Sequence, residues 1–168
     1  MSVSHATQRL RWIALGLFVG AFALALSCES PVPGEKQFRD WVEERYAQPF
    51  RDGETDRWVA VFDENAVGMH HTLPAMEGRE AIRNFGRMVH ENLVVEQFDL
   101  TVKEVRVSKT WALTRGSFVS RFVPAMADAG IVPAVEAPAT VGKFVLLWEL
   151  QDDGEWRVIL DMGNLDSP

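Results

Sequence analysis

The chain has little that would hold a fold together covalently or carry it across a membrane. It contains one cysteine, Cys28, in 168 residues, so an intrachain disulfide is excluded and the fold depends on its apolar core. The uncharged run from Trp12 to Ser27 is shorter than the roughly 20 apolar residues that a spanning helix needs. The chain also lacks a Gly-x-Ser-x-Gly elbow, a glycine-rich phosphate loop and zinc-ligand spacing. These absences disfavour hydrolases that use a nucleophile, and we predict neither a metal nor a cofactor.

Basic residues are scarce relative to acidic ones. The formal net charge is −7, and residues 1–27 hold two arginines and no acidic residue, so removing them would lower the charge to −9. A surface with that charge repels phosphate groups. We therefore expect no nucleic-acid partner.

The N-terminal residues 1–27 predict an export signal, because two arginines precede the uncharged run. The sequence Leu26-Ser27-Cys28 resembles the lipobox of bacterial lipoproteins, in which the cysteine is lipidated and becomes the mature N-terminus. We therefore predict a protein of the bacterial cell envelope that is anchored to the membrane through Cys28. The alternative is ordinary cleavage after Ala25, which would leave Cys28 as a free thiol.

The rest of the chain predicts one domain. Residues 28–35 include Pro31, Pro33 and Gly34 without an apolar period, which is typical of a short tether. Residues 36–168 then form the folded part. The 141 residues that follow the signal are enough for a core, since a chain of about 150 residues buries roughly 68–70% of its surface.

Apolar spacing predicts three helices before any long strand. The first begins at Lys36 and is interrupted by Pro49 and Gly53, the second is capped by Thr55, and the third begins near Gly78. Their apolar stripes are, in chain order, Phe38, Trp41, Val42, Tyr46 and Phe50; Trp58, Val59 and Phe62; and Ile82, Phe85, Met88 and Val89.

Strands dominate the second half of the chain. A brief strand is expected at 66–71, and alternating apolar residues predict half-buried strands at 94–107 and 111–123. Two runs rich in β-branched and aromatic residues, 142–150 and 156–160, flank Asp153-Gly154, which predicts a hairpin with a type I′ turn. A long apolar loop is expected at 124–139. Helices first and strands last indicate an α+β fold.

Three segments resemble the ketosteroid isomerase and SnoaL-like branches of the nuclear transport factor 2 superfamily. They are Arg45-Tyr46 with Gly53 and the run 58–62, the helix start Gly78-Arg79-Glu80-Ala81-Ile82-Arg83-Asn84-Phe85, and the closing hairpin from Gly142 to Val158. The resemblance implies a cone-shaped, curved, mixed or antiparallel sheet packed against three N-terminal helices. It also implies an apolar cavity, the usual site for a small molecule.

The same resemblance leaves three functions open. The first is binding of a small apolar or carbonyl-containing molecule. The second is an isomerase, cyclase or dehydratase that transfers protons without a metal. The third is a module that uses its open sheet face to form a homodimer or to dock a partner.

For an enzyme there are three candidate catalytic residues, and the resemblance implies two of them. Tyr46, the one tyrosine, falls at the hydrogen-bond donor position of the ketosteroid isomerases, and His70 falls at the base position, where that family has Asp. Imidazole is a suitable base near neutrality. The family's second donor, an acid in the penultimate strand, has no counterpart in the apolar run 141–150. Asp161, near the end of the last strand, is the other candidate acid.

The residues expected to contact a ligand come from the helix stripes and from two strands: Trp58, Phe62, Phe85, Met88, Arg115 and Trp148. Arg115 would orient a carbonyl or anionic group if its strand face is concave, and an Arg115–Asp161 pair would be either a pocket dyad or a structural ion pair. On the convex side it would instead belong to a solvated or dimer-facing surface. His70 and His71 should point to opposite faces of their strand, which excludes joint metal binding, and His90 should be exposed.

Overall fold

A computed structural model describes residues 32–125 and 138–166. The export signal, Cys28 and most of the expected loop 124–139 therefore lie outside the described residues. Within them the helices and strands are α1 (Glu35–Trp41), a π-helical segment (Val42–Ala47), α2 (Gln48–Arg51), α3 (Thr55–Val59), β1 (Phe62–His70), β2 (Met76–Glu77), α4 (Arg79–Asn92), β3 (Leu93–Val107), β4 (Trp111–Pro124), β5 (Thr140–Leu150) and β6 (Trp156–Leu165). The predicted α+β fold, with helices before the long strands, is confirmed.

The six strands form one sheet in the order β2-β1-β6-β5-β4-β3. β1 runs parallel to β6, and the other neighbours are antiparallel. Register shifts interrupt the pairing at several places, including Val102/Glu104 and Leu147/Trp148, and such bulges bend a sheet. The bent sheet has an inner face, which carries Thr114, Gly116, Phe118 and Ser120 of β4, and an outer face, which carries the intervening residues of that strand.

The predicted interruption of the first helix at Pro49 is wrong, since the helical segments continue through this proline. In a π-helix the N–H of residue 49 would bond to the carbonyl of Glu44, but proline has no N–H. The Arg57 guanidinium donates to the Glu44 carbonyl instead, at 3.4 Å. The wide helical turn that results carries Tyr46, which is 5% exposed and faces the core.

The second helix is shorter than its stripe suggested, because Phe62 begins β1 rather than ending the helix. Thr55 does not cap this helix; its hydroxyl bonds to His90 Nδ1 at 2.6 Å. The other ring nitrogen of His90 bonds to the carbonyl of Phe50 at 2.9 Å. The expected exposure of His90 is therefore wrong, since the imidazole ties α4 to the two preceding helices.

The closing hairpin is present, but its turn is not type I′. Only Gly154 has a positive φ, +84°, whereas type I′ requires two such residues. The Gly154 N–H donates to the Gln151 carbonyl, and the Gln151 N–H donates to the Glu155 carbonyl, both at 2.9 Å. This pattern is a three-residue loop in which a type I turn is followed by a left-handed glycine.

Candidate functional site

The site is a cavity of about 270 Å³ between the inner face of the sheet and the helices. Its walls are mainly aromatic and include Phe50, Trp58, Phe85, Phe98, Phe118 and Phe122. The strands supply the last three of these rings, and the helices supply the first three. Such walls favour a flat apolar ligand.

Three polar side chains meet at one end of the cavity. The Tyr46 hydroxyl donates to Asp161 Oδ2 at 2.7 Å, and His70 Nε2 lies 3.1 Å from the same oxygen. The parallel pairing of β1 with β6 places Gly68 opposite Asp161 and His70 opposite Gly163, so the two side chains come from adjacent positions. We call these three residues the polar cluster.

The polar cluster holds the one charged side chain that is buried within residues 32–125 and 138–166. Asp161 is 2% exposed, and a carboxylate in such a place needs hydrogen-bond donors to offset its lost hydration. Since an ionised carboxylate only accepts, both Tyr46 and His70 Nε2 donate to it. Oδ1 accepts no hydrogen bond from the described residues, and Asp161 lines the cavity. Oδ1 is therefore the oxygen that a ligand can use.

The burial and charge of Asp161 shift the pKa values of its two neighbours. Burial raises the pKa of the Tyr46 phenol well above its usual value, and the charge and hydrogen bond of Asp161 raise it further. For His70, burial lowers the imidazole pKa, but the hydrogen bond to Asp161 and its charge outweigh burial, so the net pKa is raised. The Tyr46 phenol therefore keeps its proton and can donate a hydrogen bond. The His70 imidazole favours its protonated form more than an ordinary histidine does.

Sequence reasoning proposed all three residues of the polar cluster, and the structure brings their side chains together. It does not pair Asp161 with Arg115, however. Arg115 lies on the outer face and pairs with Glu104, so the Arg115–Asp161 pair considered from the sequence does not form, and the expected ligand contact of Arg115 is wrong. Successive side chains of a strand point to opposite faces, and Thr114 and Gly116, on either side of Arg115, take inner positions. Arg115 therefore lies on the outer face.

Of the other expected ligand contacts, Trp58 and Phe85 line the cavity. Three lie elsewhere, which corrects the prediction. Phe62 is fully buried behind the cavity wall, and Met88 is 47% exposed on α4. Trp148 is buried and donates through Nε1 to Thr114 Oγ1 at 3.1 Å.

His71 also departs from its prediction. β1 ends at His70, so strand alternation does not extend to His71, which lies in the following turn. Both histidines border the cavity, and His71 is exposed at its mouth. The next residue, Thr72, has a positive φ of +62°, an uncommon backbone conformation for a β-branched residue.

Several lining residues were not singled out from the sequence. They are the inner-face residues of β3 and β4, namely Phe98, Leu100, Phe118, Ser120 and Phe122, together with Phe144 of β5. Their alternation along each strand showed that they share a face. It did not show which face of the sheet is concave.

The comparisons with known proteins agree with this architecture. The sequence profile of the SnoaL-like domain family matches residues 31–159. The chain belongs to the SnoaL-like domain family. No curated protein sequence matches it significantly.

Solved structures of this domain type share the fold at low sequence identity. A ketosteroid isomerase-like protein from Erwinia carotovora atroseptica is 18% identical, with a TM-score of 0.64 over 77% of this chain and 94% of that chain. A conserved protein from Planctomyces limnophilus is 14% identical, with a TM-score of 0.66 over 77% and 94% of the two chains. An NTF-2 like protein of unknown function from Shewanella oneidensis is 16% identical, with a TM-score of 0.58 over 77% and 98%. These similarities confirm the predicted family resemblance and fold.

Among the described residues, no helix is long and apolar enough to cross a membrane. In the same residues, no group of three or more His, Cys, Asp or Glu side chains is arranged to hold a metal ion.

Proposed function

We propose that this SnoaL-like domain binds a small, flat, largely apolar molecule that carries a carbonyl group. The observation that carries the proposal is the position of the polar cluster at one end of an aromatic cavity. Aromatic walls desolvate the ligand body, and a few placed polar groups fix its orientation. A carbonyl oxygen only accepts hydrogen bonds, and the Tyr46 hydroxyl can donate to it by turning its one proton from Asp161 Oδ2 to the ligand, while His70 Nε2 keeps donating to Asp161.

Binding of 2-tetralone, a ketone fused to an aromatic ring, tests this proposal. We expect saturable quenching of the tryptophan fluorescence, since Trp58 lines the cavity. Tyr46→Phe removes one donor and should weaken binding by about five-fold or more, the worth of one hydrogen bond. Glu104→Gln, on the outer face, is the matched control and should bind as the wild type does. Absence of saturable binding to the wild type would contradict the proposal.

A second candidate function is proton transfer on the bound ketone, and the free Oδ1 of Asp161 favours it. In this proposal Asp161 Oδ1 takes a proton from the carbon next to the carbonyl. The C–H electron pair forms the C=C bond of an enolate, and the Tyr46 hydroxyl, released from Asp161 Oδ2, donates a hydrogen bond to the enolate oxygen. The proton then returns to the same carbon or, in an isomerisation, to another one.

The proposed role of His70 changes with this geometry. A histidine that donates Nε2–H to a carboxylate and has a raised pKa is a poor base near neutrality. We therefore assign His70 to positioning Asp161 and to balancing its charge. Asp161 replaces it as the proposed base.

Exchange of the C1 protons of 2-tetralone in deuterated buffer, followed by proton NMR, tests this second candidate. The wild type should accelerate exchange, and Asp161→Asn should reduce the rate to that of buffer. The Glu104→Gln control should exchange at the wild-type rate. If the wild type binds 2-tetralone but exchange stays at the buffer rate, proton transfer is excluded for this ketone and binding alone stands.

We also propose that the domain acts at the bacterial cell envelope, anchored through a lipidated Cys28. The support comes from the sequence of residues 1–28 alone. Metabolic labelling with an alkyne fatty acid should mark the wild type and not Cys28→Ser. Equal labelling of both, or labelling of neither, would contradict the anchor.

A further inference from the structure

The inner face of β4 carries two buried hydroxyl groups, and among the described residues only one of them has a hydrogen-bond partner. Thr114 is fully buried, and its Oγ1 accepts from Trp148 Nε1 at 3.1 Å. Ser120 is 4% exposed, and its side chain forms no hydrogen bond with the described residues. A buried hydroxyl is normally hydrogen-bonded, because leaving it unpaired costs free energy.

The Ser120 hydroxyl borders the cavity. Ser120 is one of the residues that line it. Phe118 and Phe122 precede and follow it on the same face, and its neighbours across the sheet are Phe98 of β3 and Thr140 of β5. The hydroxyl thus lies in a mainly aromatic part of the cavity.

Ser120 lies far from the polar cluster on the sheet. Asp161 pairs with Leu146, and Leu146 pairs with Thr114, so these three residues form one row across the sheet. Ser120 is six positions further along β4 than Thr114. That separation is roughly 20 Å along a straight strand and less across the concave side of a bent sheet. Ser120 is thus set apart from Asp161 along the cavity, with the ring of Phe98, its partner on β3, 6.3 Å from the ring of Tyr46.

We infer that Ser120 forms a second polar subsite, so that the ligand carries a hydrogen-bonding group at each end of an apolar, aromatic-sized body. This inference rests on the proposed function and adds the class of ligand to it. One end is the carbonyl that accepts a hydrogen bond from Tyr46. The other end is a hydroxyl, or a second carbonyl, that meets the Ser120 hydroxyl, which both donates and accepts.

The test uses aryl methyl ketones in pairs that differ by one phenolic hydroxyl at the far end. The cores are naphthalene, biphenyl and stilbene, so that the hydroxyl reaches progressively further from the ketone. Dissociation constants are measured for the wild type, Ser120→Ala and Ser117→Ala. Ser117 is the matched control because it lies on the same strand but on the outer face.

At one core length, we expect the hydroxyl to tighten binding to the wild type by about five-fold, the worth of one hydrogen bond. Ser120→Ala should abolish that gain, whereas Ser117→Ala should keep the gain and leave the affinity for the plain ketone unchanged. If Ser120→Ala does not fold, Ser120→Cys takes its place, since a thiol is similar in size and a weaker donor.

The outcomes separate this inference from the proposed function. Plain ketones that bind without any gain from the hydroxyl at all three lengths would overturn the second subsite alone. The same gain in the wild type and in the Ser120 variant would also overturn it. If neither member of any pair binds to the wild type, the proposed function itself fails.

Discussion

Two charged pairs on one sheet differ in their access to water. The side chains of Asp161 and His70 on the inner side are 3% and 21% exposed, and those of Glu104 and Arg115 on the outer face are 24% and 55% exposed. Water screens the outer pair, so its geometry is not critical to the fold. The inner carboxylate depends on Tyr46 and His70, because water cannot replace them. Burial of the Asp161 carboxylate costs desolvation free energy, so we relate its position to the proposed ligand binding or chemistry.

The largest expected effect comes from Asp161→Ala. It would leave the Tyr46 hydroxyl and the His70 N–H buried without an acceptor, and breaking a buried pair costs about 3–5 kcal/mol. Urea denaturation should show this loss in the free energy of unfolding. The matched variant Glu104→Ala breaks the outer pair and should lose far less. Equal losses in the two variants would remove the distinction between the faces.

A second variant, Gly116→Ala, tests how tightly the inner face is packed. A Cβ at Gly116 would overlap the carbonyl oxygen of Thr101 and approach Phe144 Cε1 to 2.9 Å. We expect a loss of about 1–3 kcal/mol in urea denaturation, the usual cost of overpacking. At Gly163, beside His70, a Cβ would come no closer than 3.8 Å to any atom, so Gly163→Ala should be nearly neutral. An unchanged free energy of unfolding in Gly116→Ala would show that the inner face is less tightly packed than the structure implies.

The inner pair should also make stability depend on pH. Because the pKa of His70 is raised in the folded state, its pairing stabilises the fold below about pH 6.5. This stabilisation is lost as pH rises through the higher folded-state pKa. The stability difference between wild type and His70→Gln, measured by urea denaturation from pH 5 to 9, should therefore shrink with rising pH. The corresponding difference for Glu104→Gln should stay flat over this range, and a His70 difference that grows with pH would contradict the pairing.

The smallest effect is expected for Arg115→Ala on the outer face. Exposed pairs contribute little to stability, so the thermal midpoint should stay at the wild-type value. Binding of 2-tetralone should also be unchanged, because Arg115 lies outside the cavity. A loss of ketone affinity would mean that Arg115 orients the ligand after all.

Local pattern was enough to predict most of the fold. The helix from Gly78, the long strands and the closing hairpin all follow from apolar periodicity and turn residues, which act over short distances in the chain. The first helix was misjudged at Pro49, where Arg57, a residue eight positions further on, donates to the Glu44 carbonyl in place of the absent proline N–H. Such a rescue is a tertiary contact, and no local pattern reveals it.

The site was predicted less completely than the fold. Tyr46, His70 and Asp161 were identified by resemblance and by residue type. Arg115 was misplaced and Ser120 missed for one shared reason. Alternation fixes which residues share a face, but the bend of the sheet decides which face encloses the cavity. That bend arises from bulges such as Val102/Glu104, which depend on pairing between strands.

NMR of the four histidine side chains during titration with 2-tetralone tests the central claim most directly. If the ketone binds at the polar cluster, the His70 imidazole resonances should shift saturably with the ketone concentration. Its affinity should match the one from fluorescence, and Asp161→Asn should alter the shift. An unmoved His70 signal, in a protein that still binds the ketone, would place the ligand elsewhere and contradict the account.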